Sequence, residues 1–352
     1  MSSKTLPLPI SRTGGCTLTG ALAVTTSVTD SITLIHGPDG CAHHNFSLLH
    51  ATLLDNGNLR IPNVMSSGLT EDDIIFGGEP SLAQAIAMAC DKQPRVIFIL
   101  STCITDTIGD DVQGMCRNSG VNICYIPTSG FFGGQFDDGF SNSLIAIAKF
   151  VKEKNAWQGE IKGERGLRVN LIGEKNLEYE VEQNFLEICR LLALLGISIN
   201  IRYIHEITTD DLYTLPLADL NILREPSLVN VGKILQELFG VPYLDSFPIG
   251  LDGTLRFLRD TGRALGISSE QAISREEECQ RSMLAEFSNL AGRKVYRTNP
   301  VDPNGSSVMA EIMGRIGLCE DEDGDGIPVP VPLPVGTCGI RRMLHRWRRA
   351  TT

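Results

Sequence analysis

Residues 31–54 read SITLIHGPDGCAHHNFSLLHATLL. Ser31 to His36 is an apolar run of strand length. Gly37-Pro38-Asp39-Gly40 closes it as a turn, and Cys41 to Leu54 then reads as a helix. A strand followed at once by a helix is half of a parallel crossover, so a parallel neighbour is needed. RVIFIL at 95–100 supplies it as a buried strand. A helix over Pro80 to Asp91 precedes it, with Pro80 at a natural first position and Leu82, Ile86 and Met88 near one face. Beyond it come a helix at Asp111 to Ser119 and a strand at Val121 to Ile126. The glycine-rich GFFGGQFDDG at 130–139 leads into a helix at Phe140 to Lys152. Alternating strands and helices of this kind predict an α/β protein with mostly parallel sheets, as tandem Rossmann-like domains.

The stretch 153–166, EKNAWQGEIKGERG, is charged and aperiodic, and it marks a boundary. A second α/β unit follows: strands at Leu167 to Ile172 and Ile197 to Ile204, and helices at Leu177 to Leu195, Asn230 to Phe239 and, after a loop, within Gly250 to Leu265. Ser268 to Leu290 reads as a polar linking helix, with Ser268 and Gln271 as a capping box. Arg293 to Tyr296 and a helix at Ser306 to Ile316 begin a third unit. There the pattern fails, because 320–326 is acidic and IPVPVPLPV at 327–335 has proline at every second position, which forbids a helix or a central strand. The expected domains are 1–155, 165–290 with the linking helix, and a partial or atypical third domain with a tail over 291–352. The basic tail, with Arg341, Arg342, Arg346, Arg348 and Arg349, is expected either to contact the acidic bulk or to lack structure.

The chain has 352 residues, with 31 Lys+Arg against 42 Asp+Glu and a net charge of −11. That balance argues against nucleic acid as the main partner, since phosphate neutralisation needs a basic surface. The opening MSSKTLPLPISRTGGC has no apolar core of signal-peptide length, and no run of about 18 apolar residues occurs that would span a membrane. A cytoplasmic protein is expected. Ten cysteines in a reducing compartment are then buried hydrophobes or metal and redox ligands rather than a disulfide framework.

Three cysteines hold related places. Cys16 lies in TGGCTLTG, Cys41 follows the first strand and turn, and Cys103 follows the buried strand in IFILSTCITD. Ligands of parallel sheets gather at the carboxyl ends of strands, and helix N-termini favour thiolate. Soft thiolates select zinc or iron–sulfur clusters. From the residues alone, three unrelated cysteines and one shared group both stand.

The boxes GGCTLTGA, IHGPDGCAHH, LTEDDIIFGGEPSLAQAI at 69–86, STCITDTIGDDV, IPTSGFFGGQFDDGF at 126–140 and FGVPYLDSFPIGLDGTLRFLR at 239–259 resemble the nitrogenase component 1 type, or nitrogenase-like catalytic component, family. The resemblance covers most of 14–260. It implies that Cys16, Cys41 and Cys103 hold an interfacial 4Fe-4S cluster in a homodimer, and that a partner ATP-dependent iron–sulfur reductase delivers electrons. A chain of this length is similar to the catalytic component of Ni-sirohydrochlorin a,c-diamide reductive cyclase. The implied substrate is a nickel tetrapyrrole on the way to the methyl-coenzyme M reductase cofactor. A protochlorophyllide-type reductase subunit and a non-enzymatic nitrogenase-cofactor assembly scaffold are the alternatives. No G-x-x-x-x-G-K-[ST] string occurs, so direct ATP binding is not expected.

His43 and His44, beside Cys41 with His36 and His50 near, are candidate proton donors or else polar helix-start residues. Asp106, Asp110 and Asp111 read as helix-start charges. Cys90, Cys116, Cys124 and Cys189 read as core. Asp321, Asp323, Asp325 and Gly326 begin an EF-hand-like loop, but Pro332 stands where the bidentate Glu belongs, so a solvated acidic loop is the better reading.

Overall fold

The computed structural model describes residues 14–118, 120–131, 134–154, 166–175 and 177–351. The expected boundary at 153–166 falls mostly on 155–165, outside the described residues, as do 1–13 and two positions of the glycine-rich loop.

The elements of the first unit are α1 (Thr17–Thr25), β1 (Ser31–His36), α2 (Asp39–Asp55), β2 (Val64–Ser66), α3 (Glu71–Phe76), α4 (Glu79–Cys90), β3 (Val96–Ser101), α5 (Cys103–Ile108), α6 (Val112–Asn118), β4 (Ile123–Ile126) and α7 (Phe136–Lys154). The second unit has β5 (Arg168–Ile172), α8 (Val181–Leu194), β6 (Ser198–Tyr203), α9 (Thr209–Leu212), β7 (Leu220–Leu223), α10 (Val229–Phe239), β8 (Tyr243–Leu244), α11 (Leu251–Leu265) and α12 (Glu270–Glu286). The third has β9 (Lys294–Arg297), α13 (Pro303–Ile316), β10 (Cys319–Glu320), β11 (Asp325–Ile327) and α14 (Gly336–Ala350).

Three parallel sheets result, ordered β2-β1-β3-β4, β6-β5-β7-β8 and β10-β9-β11. The first two share one wiring, and the third repeats its first three positions. β1 and β3 are buried along their whole length and pair Ile32 with Ile97 and Leu34 with Ile99. A strand covered on both faces must be apolar throughout, which is why these two were legible. Alternate residues face opposite layers. Ile32, Leu34, Ile97 and Ile99 meet Leu82, Ile86 and Ala89 of α4. Ile35, Phe98 and Leu100 pack in the core that holds α1 and α7. That core continues into the second unit through Tyr203, Leu223, Val231 and Leu235, and the Tyr203 hydroxyl donates to the Leu144 carbonyl at 2.5 Å.

The glycine-containing stretch after Cys16 carries no helix signal in the sequence, yet Thr17–Thr25 is the helix α1. Its sequence, TLTGALAVT, is poor in helix formers, but its nine residues are all buried. Two glycines bring α1 and α7 into backbone contact. A Cβ on Gly20 would sit 1.9 Å from the Phe136 carbonyl oxygen, and one on Gly139 would sit 1.9 Å from that of Thr17. The contact also starts α7 at Phe136, earlier than the glycines suggested. α2 likewise begins inside the expected turn, at Asp39.

The third unit is more complete than the sequence pattern suggests. It is an ordered three-stranded parallel sheet under α13 and α14, and the basic tail takes the first of its two expected courses, pairing with acidic residues. Trp347 is fully buried and donates from Nε1 to the Pro328 carbonyl at 2.8 Å. Of the tail arginines, Arg342 and Arg346 bind Glu180, and Arg341 binds Glu286 at 2.5 Å. The capping box is not formed: α12 begins after Ser269, with no side-chain cap. In the acidic loop Asp321 pairs with Lys294 at 2.6 Å and accepts the Asp323 N–H. Cys124 lies in the core, whereas Cys90, Cys116 and Cys189 are only partly covered.

Candidate metal centre

The three cysteines stand at the N-terminal ends of three helices. Cys16 is the N-cap of α1, Cys41 is the third residue of α2, and Cys103 opens α5 directly after β3. Each placement has a local cause. Cys16 is held by an antiparallel bridge to Gln135, with the Phe136 N–H donating to the Gly15 carbonyl at 3.1 Å. The Gly20–Gly139 crossing fixes that segment from behind. Cys41 rides on α2, whose start follows the end of β1. Cys103 accepts the Gly130 N–H on its Sγ at 3.3 Å.

Burial pushes the Cys41 thiol up, and the neighbouring Cys16 and Cys103 add to the rise. A cation held beside Cys41 would offset that rise, as in a metal-ligand set. Among the described residues no group of three or more His, Cys, Asp or Glu side chains converges on a single-ion site. Thiols set further apart suit a polynuclear cluster, in which each iron takes its own thiolate. The Ser129 hydroxyl, one residue before the Gly130 whose N–H reaches Cys103, is buried with no hydrogen-bond partner among the described residues. The donor set therefore fits an iron–sulfur group.

The candidate acid–base residues follow Cys41 on the same helix. His43 and His44 are exposed on α2. His43 lines a shallow cleft with Asp39, Phe46 and Met65, and His50 stacks on Phe46 at 5.6 Å. Of the four histidines near Cys41, His36 is the buried one. Its Nε2 meets Asp110 Oδ2 at 3.0 Å and its Nδ1 meets Ser67 at 2.9 Å, while Asp110 also accepts the Gly78 N–H. Burial lowers its pKa more than Asp110 raises it. This neutral ring ties the end of β1 to the segments after β2 and α5. Asp110 is thus a buried partner, not a helix-start charge; only its distance from His36 along the chain hid the pairing.

The same edge of the second sheet carries charges that sequence reasoning missed. Lys175 Nζ lies 2.8 Å from Glu225 and 3.2 Å from Asp137 of α7. Arg224 meets Glu178 at 3.2 Å with both side chains buried, and Arg202 meets Glu174 at 2.8 Å. A hydrogen bond from His205, with Arg202 adding to it, holds Glu182 down at about 2.

The chain belongs to the nitrogenase component 1 type oxidoreductase family, whose model matches residues 16–303. It is 29% identical over 269 residues to the nitrogenase iron-molybdenum cofactor biosynthesis protein NifE of Clostridium pasteurianum, across 75% of this chain and 56% of that one. It is 27% identical over 305 residues to a nitrogenase molybdenum-iron protein alpha chain of Methanococcus maripaludis, across 80% of this chain and 62% of that one. A solved structure described as nitrogenase Cp1 at pH 5 superposes with a TM-score of 0.65 over 90% of this chain and 65% of the other, at 23% identity, and so shares the fold. The chain spans little more than half the length of NifE from Clostridium pasteurianum. No helix among the described residues is long and apolar enough to cross a membrane.

Proposed function

We propose that this chain is an iron–sulfur component of nitrogenase type in which Cys16, Cys41 and Cys103 hold a 4Fe-4S cluster. The observation that carries this reading is that Cys16, Cys41 and Cys103 each stand at a helix start, with Cys16 and Cys103 close enough to Cys41 to raise its thiol. When bound, such a cluster supplies one-electron transfer. The protein's part is to position it, shield it and set its potential.

Three cysteines leave a four-iron cluster one ligand short, so a second chain is the natural cover. The surface beside the thiols suits one: Cys16 is exposed, and Phe131 next to Gly130 is 68% exposed. A homodimer is the simplest closed arrangement. Electrons would come from a separate ATP-dependent iron–sulfur reductase, since this sequence has no phosphate-cradling loop.

For the task the cluster serves, the relatives named as cofactor biosynthesis proteins favour assembly of a metal cofactor as cargo. Reductive cyclisation of a nickel tetrapyrrole, which the sequence resemblance implies, is the second reading. Anaerobic reconstitution with iron and sulfide decides the shared premise. About four irons per chain and loss of the visible spectrum in each of Cys16→Ala, Cys41→Ala and Cys103→Ala are expected. A Cys103→Ala protein with full iron and an unchanged spectrum would overturn it. Release of a metallocluster to a client protein favours the first task, and turnover of the tetrapyrrole the second.

A further inference from the structure

Behind the thiols lies a buried polar connection that the cluster reading does not use. Thr19, in the first turn of α1, and Asn45, one turn after Cys41 on α2, are 7% and 4% exposed. The Thr19 hydroxyl donates to Asn45 Oδ1 at 2.6 Å, and Asn45 Nδ2 donates to the Cys41 carbonyl at 2.8 Å. On its other side the Thr19 oxygen lies 3.7 Å from Cys16 Sγ. One continuous chain of contacts thus runs from the Cys16 sulfur to the backbone of Cys41. Gly15 makes room for it: a Cβ there would stand 2.7 Å from Thr19 Oγ1, and its φ of +138° suits glycine.

We infer that Thr19 and Asn45 are a positioning pair that sets Cys16 against Cys41 and that Thr19 tunes whatever group the Cys16 sulfur holds. The geometry leaves the hydroxyl two neighbours and one proton. In the arrangement seen, that proton goes to Asn45. A metal-bound sulfur offers lone pairs only, so the same hydroxyl then has two acceptors, and any share given to sulfur stabilises added electron density there. Asn45 also fixes α2 through its back-bond to Cys41, so both cysteines answer to one buried amide.

This rests on the iron–sulfur reading above, and the two fail separately. Thr19→Val keeps the shape and removes the hydroxyl, and Thr19→Ser restores it. In the full-length reconstituted protein, Thr19→Val is expected to keep wild-type iron content while its midpoint potential falls by about 59 mV, about tenfold in a one-electron equilibrium, with Thr19→Ser returning to the wild-type value. In the cluster-free protein, iodoacetamide should alkylate Cys16 and Cys41 faster in Thr19→Val than in wild type, by peptide mass. Should Thr19→Val not fold, Thr19→Ala, which removes the hydroxyl without adding bulk, carries the same expectations. Wild-type potential and wild-type alkylation in a folded variant lacking the hydroxyl would overturn the inference and leave the cluster reading intact. Failure of the wild-type protein to take up iron and sulfide would instead sink the cluster reading.

Discussion

The carboxyl edges of the first and second sheets are built on the same strand wiring and used in opposite ways. After β1 and β3 the chain places glycines, hydroxyls and thiols. Cys16 remains exposed, Cys41 and Cys103 are partly covered, and the Ser129 hydroxyl is unpartnered. At the ends of β5, β6 and β7 it places Glu174, Lys175, Arg202, Arg224 and Glu225, and these close on one another or on Glu178. The topology brings loops together at such an edge in either case. Whether the edge receives a ligand or locks itself depends on whether the side chains there satisfy each other.

The contrast can be broken first on the locked side. Arg224→Met would strand Glu178, which burial already pushes up despite Arg224, and is expected to cost about 3–5 kcal/mol in urea unfolding. A carboxyl raised in the fold binds more protons than in the unfolded chain. The loss should therefore shrink as pH falls toward the ordinary carboxylate range and grow above it. Replacing both partners, as Glu178→Leu with Arg224→Met, should recover most of the stability. Recovery absent in the double variant would mean that the pair does more than satisfy itself.

On the open side the scaffold beneath the thiols is the sensitive part. Gly139→Ala forces a Cβ onto the Thr17 carbonyl and should cost about 3 kcal/mol or more. Gly40→Ala meets nothing within 4 Å and, lying inside a helix, should stabilise by up to about 1 kcal/mol. Thermal unfolding of the two variants side by side distinguishes close approach from glycine content as such.

His36 stands between these cases, a closed polar contact within the open edge. His36→Leu should cost about 1–3 kcal/mol by removing one buried partner each from Asp110 and Ser67. The wild-type ring has its pKa lowered from 6.5 by burial. The unfolded chain takes up a proton there before the folded one does. This part of the stability is full above pH 6.5 and falls as the pH drops below it. The variant should lose that portion of the acid sensitivity. The smallest effect is expected at the exposed Arg95–Asp210 pair, which joins the two units at 2.7 Å; Arg95→Ala should leave the thermal midpoint unchanged within error.

Much of the architecture was readable because its causes are local. β1 coincides with the expected strand, and β3, α4 and α10 are shifted by about one residue, since apolar runs and helix-start residues mark them directly. Elements whose causes lie elsewhere in the chain were not readable. TLTGALAVT becomes α1 because Gly20 and Gly139 let α7 lie against it. β10 and β11, two and three residues long, exist only as partners of β9. The basic tail becomes α14 because Trp347 finds a core and Arg342 and Arg346 find Glu180.

The candidate site divides along the same line. The three cysteines could be named from the sequence, because each sits in a box whose strand-end or turn context is local. Which of their neighbours matter was decided by the tertiary structure. Thr19 meets Asn45 across 26 positions, His36 meets Asp110 across 74, and Cys103 takes the N–H of Gly130 from 27 positions away. A threonine, an asparagine or an aspartate has no periodicity to betray it. It acquires a role only when burial removes water as the alternative partner and leaves one protein group within reach.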